Sequence, residues 1–287
     1  MGGGPTEGGQ GAAPEGAAPG GAAQDGVAQN GVAQEGAVPV LTARGLVREF
    51  RGFRAVDEVD LDVAEGSVHA LVGPNGAGKT TLFNLLTGFL KPSAGSVRLD
   101  GHELAGRSPE SITRLGVARS FQITSLFAEL TPRRHLELAL ASPTGLGWRF
   151  WRSDKALSRF AARAGELLDE AGLSGQGDVP AGSLSYGSKR ALELALALAL
   201  DPKVLLLDEP TAGMGVEDVD RTIELVRKIR AGRTVVLVEH NMNVVASLAD
   251  RVTVLQHGKV LIEGPYAEIR HDPRVVTAYL GDSNAAH

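Results

Sequence analysis

The strongest constraint on this chain is the run GPNGAGKT at residues 73–80, which fits the pattern G-x-x-x-x-G-K-[ST]. A short apolar run at residues 67–72 precedes it and is typical of a strand. Glycines let backbone N–H groups close around phosphate oxygens, and the N-terminus of a following helix adds partial positive charge. The pattern therefore predicts a strand, a phosphate-binding loop and a helix, which together form a nucleoside triphosphate site.

Two side chains of this loop carry the expected chemistry. Lys79 can reach the β- and γ-phosphates, and the Thr80 hydroxyl can ligate Mg²⁺. Nothing in the chain reads NKxD, the usual guanine-recognition sequence, so ATP is favoured over GTP. The residues predicted to hold the nucleotide here are Gly73, Pro74, Asn75, Gly76, Ala77, Gly78, Lys79, Thr80 and Thr81.

Apolar runs and helical patterns alternate through the rest of the chain. Continuous apolar runs at residues 204–207, 234–238 and 251–255 predict buried parallel strands, and a helical pattern covers residues 216–230. Residues 191–200 alternate Ala and Leu as a strand would, but both residue types favour helices, so we predict a buried helix. This order of elements predicts an α/β fold with a mostly parallel sheet. A helix that ends before residues 91–92 is predicted from Leu82, Leu85, Leu86, Phe89 and Leu90.

The predicted strand at residues 204–207 is followed by two adjacent carboxylates, Asp208 and Glu209. Ligands of α/β sheets bind at the carboxyl ends of the strands. Asp208 is placed to hold the Mg²⁺ shell, and Glu209 can polarise a water for attack on the γ-phosphate. Taken alone, the pair could equally be a solvated strand end, but the phosphate loop upstream favours the catalytic interpretation.

Composition excludes several other classes of protein. The chain has no cysteine, which rules out disulfides, thiolate metal sites and a cysteine nucleophile. Its net charge of −5 argues against a general nucleic-acid binder. No stretch reaches the roughly 18 apolar residues of a membrane span, and no secretory signal is recognisable. Residues 1–39 carry a Gly-Ala-rich five-residue repeat without aromatic residues and are predicted to be a disordered tail.

Residues 184–188 read LSYGS, and here the chain resembles the ATP-binding subunits of ATP-binding-cassette (ABC) transporters, whose signature is LSGGQ. Tyr186 and Ser188 depart from that signature. Ser185 is predicted to cap a helix whose N-terminus faces phosphate. The resemblance implies that Ser185 and Gly187 complete the ATP site of a partner subunit in a head-to-tail dimer.

Further elements resemble those of the same family. Phe121-Gln122 resembles the Q-loop, whose glutamine touches Mg²⁺ and the attacking water, and residues 211–214 resemble the D-loop. His240 matches the switch histidine that contacts the γ-phosphate. Phe50 matches the aromatic residue that stacks on adenine, with Phe53 as a rival. The resemblance thus implies Glu209, His240 and Gln122 as catalytic residues, and Thr80, Gln122 and Asp208 as Mg²⁺ ligands.

The resemblance covers residues 41–281 and narrows to the ATPase of branched-chain amino acid uptake systems, with the urea-uptake ATPase as a close relative. Asn241 and Asn243 stand where that family usually has aspartates. It implies a cassette at residues 40–281 with an antiparallel β subdomain and a helical insertion at roughly 123–200, followed by a short tail at 282–287. The resemblance also implies three kinds of partner: membrane permease subunits, a second ATPase subunit and, indirectly, a solute-binding protein. It further implies that the protein lies peripherally at the cytoplasmic face of the membrane. The alternatives are the ATPase of a urea or amide importer and a soluble, non-transport ABC ATPase.

Overall fold

The computed structural model describes residues 1–2, 38–120, 126–142 and 157–281. The chain divides into two units, residues 1–31 and 32–287, and the helices and strands of the described ranges all lie in the second. The predicted tails at residues 1–39 and 282–287 lie almost entirely outside the described residues. The first strand begins at Pro39, which is the last residue of the predicted tail.

An antiparallel sheet precedes and flanks the phosphate loop. In the described residues it has four strands, in the order β2-β1-β4-β5. They are β1 (Pro39–Phe50), β2 (Phe53–Ala64), β4 (Ala94–Leu99) and β5 (His102–Glu103). From Val59 to Val63, β2 buries alternate residues, as expected of a strand with one face on a core, whereas β1 is irregular and also buries the adjacent pairs at residues 40–41 and 46–47. This sheet confirms the expected antiparallel β subdomain.

A second sheet forms the centre of the cassette. Within the described ranges its order is β10-β9-β3-β8-β7-β6, and all neighbours are parallel except β10 and β9. Its strands are β3 (Val68–Val72), β6 (Val117–Arg119), β7 (Val204–Asp208), β8 (Thr234–Val238), β9 (Arg251–Gln256) and β10 (Lys259–Gly264). The residues of β3 and β8 are buried throughout, which explains their continuous apolar runs. The mostly parallel sheet is therefore confirmed.

Helices cover both faces of this sheet, and the described residues between β6 and β7 contain three α-helices. Those three, α3 to α5, share a core with the sheet that includes Leu136, Leu167 and Leu192. No helix in the described part of the chain is long and apolar enough to span a membrane. The α-helices of the described ranges are α1 (Lys79–Leu86), α2 (Pro109–Arg114), α3 (Pro132–Ala141), α4 (Ala161–Glu170), α5 (Tyr186–Leu198), α6 (Val216–Ile229), α7 (Met242–Leu248), α8 (Tyr266–Ile269) and α9 (Pro273–Gly281).

Two helix predictions have different outcomes. The Ala/Leu segment is helical in α5, as its residue types indicate. The helix after the phosphate loop is shorter than predicted, because α1 ends at Leu86 and Gly88 adopts a left-handed φ of 75°. Phe89 is half exposed, so it does not extend the buried helical face. Gly88 is the sequence feature that indicates the end of this helix.

Candidate active site

The phosphate loop joins the end of β3 to the start of α1, as the sequence predicts. Glycine is required at two positions of this loop, because the backbone there has a positive φ and lies close to carbonyl oxygens of neighbouring strands. A Cβ on Gly73, at φ 150°, would lie 2.2 Å from the Leu255 carbonyl oxygen. A Cβ on Gly78, at φ 102°, would lie 2.5 Å from the Ala55 carbonyl oxygen. The loop is therefore held against β9 on one side and the antiparallel sheet on the other.

The Lys79 ammonium folds back over this loop. Its Nζ donates hydrogen bonds to the carbonyl oxygens of Gly73 at 2.6 Å and Pro74 at 2.8 Å. The first turn of α1 carries no acidic side chain, so nothing there opposes the positive end of the helix. Backbone N–H groups, a helix N-terminus and an ammonium thus converge on one loop, and this combination suits the phosphates of a nucleotide.

The two carboxylates after β7 lie in different environments. Asp208 is largely buried and accepts a hydrogen bond of 2.5 Å from Arg119 Nη2, while Arg119 Nη1 donates to Asn84 Oδ1 at 2.7 Å. Arg119 therefore links Asp208 to helix α1, which begins at the phosphate loop. Sequence analysis did not single out Arg119. The feature that could have identified Arg119 is its position at the end of β6, the parallel neighbour of β7.

Glu209 adopts a left-handed φ of 45°, which is uncommon for a residue with a side chain. Its carboxylate is 43% exposed and therefore open to a ligand, and its Oε1 lies 3.8 Å from His240 Nδ1. The two residues meet because β7 and β8 are parallel neighbours whose carboxyl ends share one edge of the sheet. The structure thus brings together two of the three predicted catalytic residues. The third, Gln122, lies outside the described residues, as does Phe121.

The oxygen atoms predicted to ligate Mg²⁺ are chemically suited to it. Thr80 is exposed and offers a hydroxyl, and Asp208 offers the carboxylate oxygen that Arg119 does not contact. The described residues contain no cluster of three or more His, Cys, Asp or Glu side chains that could cage a metal. Mg²⁺ usually keeps several waters and binds through one or two protein groups and substrate phosphates, so this sparse donor set fits it.

The signature segment forms the start of α5. Ser185 is its N-cap and accepts a hydrogen bond from the Ser188 backbone N–H at 3.2 Å, which confirms the predicted cap. The Ser185 hydroxyl also donates to Ser188 Oγ at 3.0 Å. A Cβ on Gly187 would lie 2.8 Å from Asp218 Oδ1 of α6, so a larger residue there would displace the Asp218 side chain. The two hydrogen bonds stabilise the first turn of α5, and Gly187 lies close to Asp218 of α6.

The departure at Asn241 has a local explanation. Asn241 is the N-cap of α7, and its Oδ1 accepts a hydrogen bond from the Asn243 backbone N–H at 3.0 Å. Asn and Asp cap helices about equally well, so the substitution keeps the structural role and removes a charge beside His240. The structure gives no particular role to the side chain of Asn243.

The two aromatic candidates for adenine stacking pair with each other across the hairpin of β1 and β2. Phe50 is 40% exposed and Phe53 is 67% exposed. The Arg48 guanidinium carbon lies 4.4 Å from the centroid of the Phe50 ring. Both rings are accessible to a planar ligand, and Phe50 stays a prediction with Phe53 as its rival.

Comparison with known proteins adds family matches to this geometry. A family model described as ABC transporter matches residues 56–212. A second model, described as branched-chain amino acid ATP-binding cassette transporter, matches residues 259–284, which include β10, α8 and α9. The first match spans the phosphate loop, the signature segment and both carboxylates.

Curated relatives match over nearly their whole length. The chain is 39% identical to the high-affinity branched-chain amino acid transport ATP-binding protein BraF of Pseudomonas aeruginosa, over 85% of this chain and 99% of BraF. It is 37% identical to the protein of that description called LivG in Escherichia coli K12, again over 85% and 99%. Among solved structures, a nucleotide-free ATP-binding cassette from an ABC transporter superposes with a TM-score of 0.76 at 29% identity, over 84% of this chain and 99% of that one.

Proposed function

This chain belongs to the ABC transporter family of ATP-binding subunits, and we propose that it hydrolyses ATP to drive the import of branched-chain amino acids. The observation that carries the catalytic part is the meeting of Glu209 and His240, 3.8 Å apart, at the sheet edge where the phosphate loop also begins. The substrate class rests on the names of the relatives and on the family match at residues 259–284.

The proposed catalytic roles are supported by the positions of Lys79, Glu209 and His240 and by the family resemblance. Lys79 exchanges its hydrogen bonds to the loop carbonyls for bonds to the β- and γ-phosphates of ATP. Glu209 accepts a proton from the attacking water, and His240 contacts the γ-phosphate beside it. Mg²⁺ would be held by Thr80, Asp208 and Gln122 and would supply charge neutralisation at the phosphates. Phe50 stacks on the adenine ring.

The proposal includes an assembly. A second ATPase subunit, identical or different, supplies its own Ser185-type surface to the γ-phosphate held by Lys79. Membrane permease subunits receive the conformational change, and a solute-binding protein delivers the substrate to them. The chain then sits peripherally at the cytoplasmic face of the membrane. The capped start of α5 supports the proposed contact between ATPase subunits, because a helix N-terminus is suited to binding a phosphate.

Uptake in cells tests the proposal. In the source organism, the chromosomal copy is deleted and replaced by wild type or by Glu209→Gln, and uptake of labelled leucine, isoleucine and valine is measured. Wild type should restore uptake, and Glu209→Gln should lower it by about 10²- to 10⁴-fold, the range of general-base loss. Restored uptake of labelled urea instead would favour the urea importer. Unchanged uptake of all four compounds after deletion would favour a non-transport ABC ATPase.

A further inference from the structure

A fully buried carboxylate lies directly beside the two catalytic residues. Glu239 follows β8 and precedes His240, and its side chain is inaccessible to solvent. In the sheet, Val238 at the end of β8 pairs with Asp208 at the end of β7. The next residues, Glu239 and Glu209, therefore lie side by side where the two neighbouring strands end. The Glu209 backbone N–H donates to the Val238 carbonyl at 2.9 Å. Glu239 therefore lies at the junction of the two loops that carry the catalysis.

Four hydrogen bonds satisfy this carboxylate. Its Oε1 accepts from the Thr211 backbone N–H at 3.1 Å and from the Thr211 hydroxyl at 2.5 Å. Its Oε2 accepts from the backbone N–H groups of His240 at 3.0 Å and Asn241 at 3.2 Å. Hydrogen bonds to a charged group are stronger than neutral ones, and a buried charge is tolerated only when it is hydrogen-bonded in this way.

The two oxygens serve two different loops. Oε1 holds the turn that follows Glu209, because Thr211 is two residues further along that turn. Oε2 holds the peptide groups that begin the switch segment. We propose that Glu239 is a positioning residue that fixes His240 relative to Glu209 for ATP hydrolysis. The inference rests on the proposed hydrolysis.

The chemistry of the contact explains why a glutamate is required. An amide of the same shape has one acceptor oxygen and one NH₂ group, which only donates. If the oxygen of a glutamine faces Thr211, its NH₂ group faces the N–H groups of His240 and Asn241. One loop therefore loses its acceptor whichever way the amide is turned. Glu239→Gln thus preserves volume and removes the link between the loops.

Single-turnover hydrolysis and ATP binding are measured for wild type and Glu239→Gln in the assembled transporter. The variant should lose at least about tenfold in rate, the size of one lost charged hydrogen bond. Its ATP affinity should stay within about twofold of wild type, because the phosphate loop is untouched. Glu263→Gln is the matched control. The Glu263 carboxylate, in the edge strand β10, accepts hydrogen bonds from Thr253 and Arg251 of β9, and Glu263→Gln should hydrolyse ATP at the wild-type rate.

A double-mutant cycle separates positioning from general stability. If Glu239 acts through His240, Glu239→Gln should cost less than about twofold when added to His240→Ala. An equal loss in both backgrounds, or a normal rate in Glu239→Gln alone, would overturn the inference while leaving the proposed function intact. A wild-type assembly without hydrolysis would overturn both.

A milder change covers the case in which Glu239→Gln does not fold. Thr211→Val removes the hydroxyl donor to Oε1 with little change in volume, and it should lower the rate several-fold at unchanged ATP affinity. Thr211→Ser retains the hydroxyl and should restore the rate. Equal rates for Thr211→Val and wild type would contradict the inference.

Discussion

The Tyr186 hydroxyl donates a hydrogen bond of 2.8 Å to the carbonyl oxygen of Ala212. Tyr186 opens α5 in the signature segment, and Ala212 lies in the turn after Glu209. Arg190, one turn further along α5, lies over the tyrosine ring with its guanidinium carbon 5.7 Å from the centroid. The tyrosine, which stands where the family signature has glycine, therefore links the signature segment to the turn after Glu209, the proposed catalytic base.

Removing this hydroxyl should weaken the coupling between the two surfaces. A hydrogen bond of this kind contributes about 1 kcal/mol, so Tyr186→Phe should lower the hydrolysis rate about fivefold while ATP affinity stays unchanged. The rate is followed against protein concentration, with Tyr266→Phe in α8 as the control. Identical curves for wild type and Tyr186→Phe would show that the hydrogen bond does not contribute to turnover.

The signature surface should act on a partner subunit. Ser185→Arg replaces the cap of α5 with a bulky cation and should abolish hydrolysis, while ATP affinity of the isolated chain stays normal. Wild-type hydrolysis should rise more than linearly with protein concentration. Ser174→Arg, at another exposed serine, is the control and should be as active as wild type. A linear dependence, together with an active Ser185→Arg, would mean that one chain hydrolyses ATP alone.

The Lys79 ammonium should supply much of the nucleotide affinity. Lys79→Ala removes a charge-assisted hydrogen bond to phosphate and should weaken ATP binding by about 10- to 150-fold. Titration calorimetry with ATP measures the change, and Lys91→Ala, at an exposed lysine after α1, is the control. An unchanged affinity in Lys79→Ala would contradict the assignment of the phosphate loop.

The cap of α7 should tolerate a return to the family residue. Asn241→Asp should leave the free energy of unfolding nearly unchanged, since either side chain accepts the bond from the Asn243 N–H. Asn241→Ala should cost about 1 kcal/mol. Denaturant unfolding of both variants gives the comparison. A loss in Asn241→Asp as large as that in Asn241→Ala would show that the amide has a role besides capping.

His69 should make stability depend on pH. Burial lowers the pKa of its imidazole to about 4, and its Nε2 lies 2.7 Å from the Thr253 hydroxyl, which itself donates to Glu263. The unfolded chain takes up the proton near pH 6.5, so the contribution of His69 is complete above that pH and falls progressively down to about pH 4.

Between about pH 7.5 and 5, wild type should therefore lose about 2 kcal/mol more than His69→Gln. Denaturant unfolding at the two pH values measures this difference, and His102→Gln, at an exposed histidine, should behave as wild type. A wild-type loss no greater than that of His69→Gln would show that His69 is not protonated on unfolding.

The parts of this protein that the sequence determined are those that depend on neighbours along the chain. The phosphate loop lies between a strand and a helix, because residues 73–80 supply glycines at the positive-φ positions. Ser185 caps α5 because the bond to the Ser188 N–H spans three residues. The buried strands are recognisable because a strand covered on both faces is apolar at every position.

Only the tertiary structure decided the contacts that complete the candidate site. Asp208 meets Arg119, and Thr211 meets Glu239, across separations of 89 and 28 residues. These pairs follow from the order of β3, β8, β7 and β6 in the sheet and from the register of β7 with β8. Local patterns indicate that a strand exists but not which strands become its neighbours, because that choice depends on how all the apolar faces are buried together.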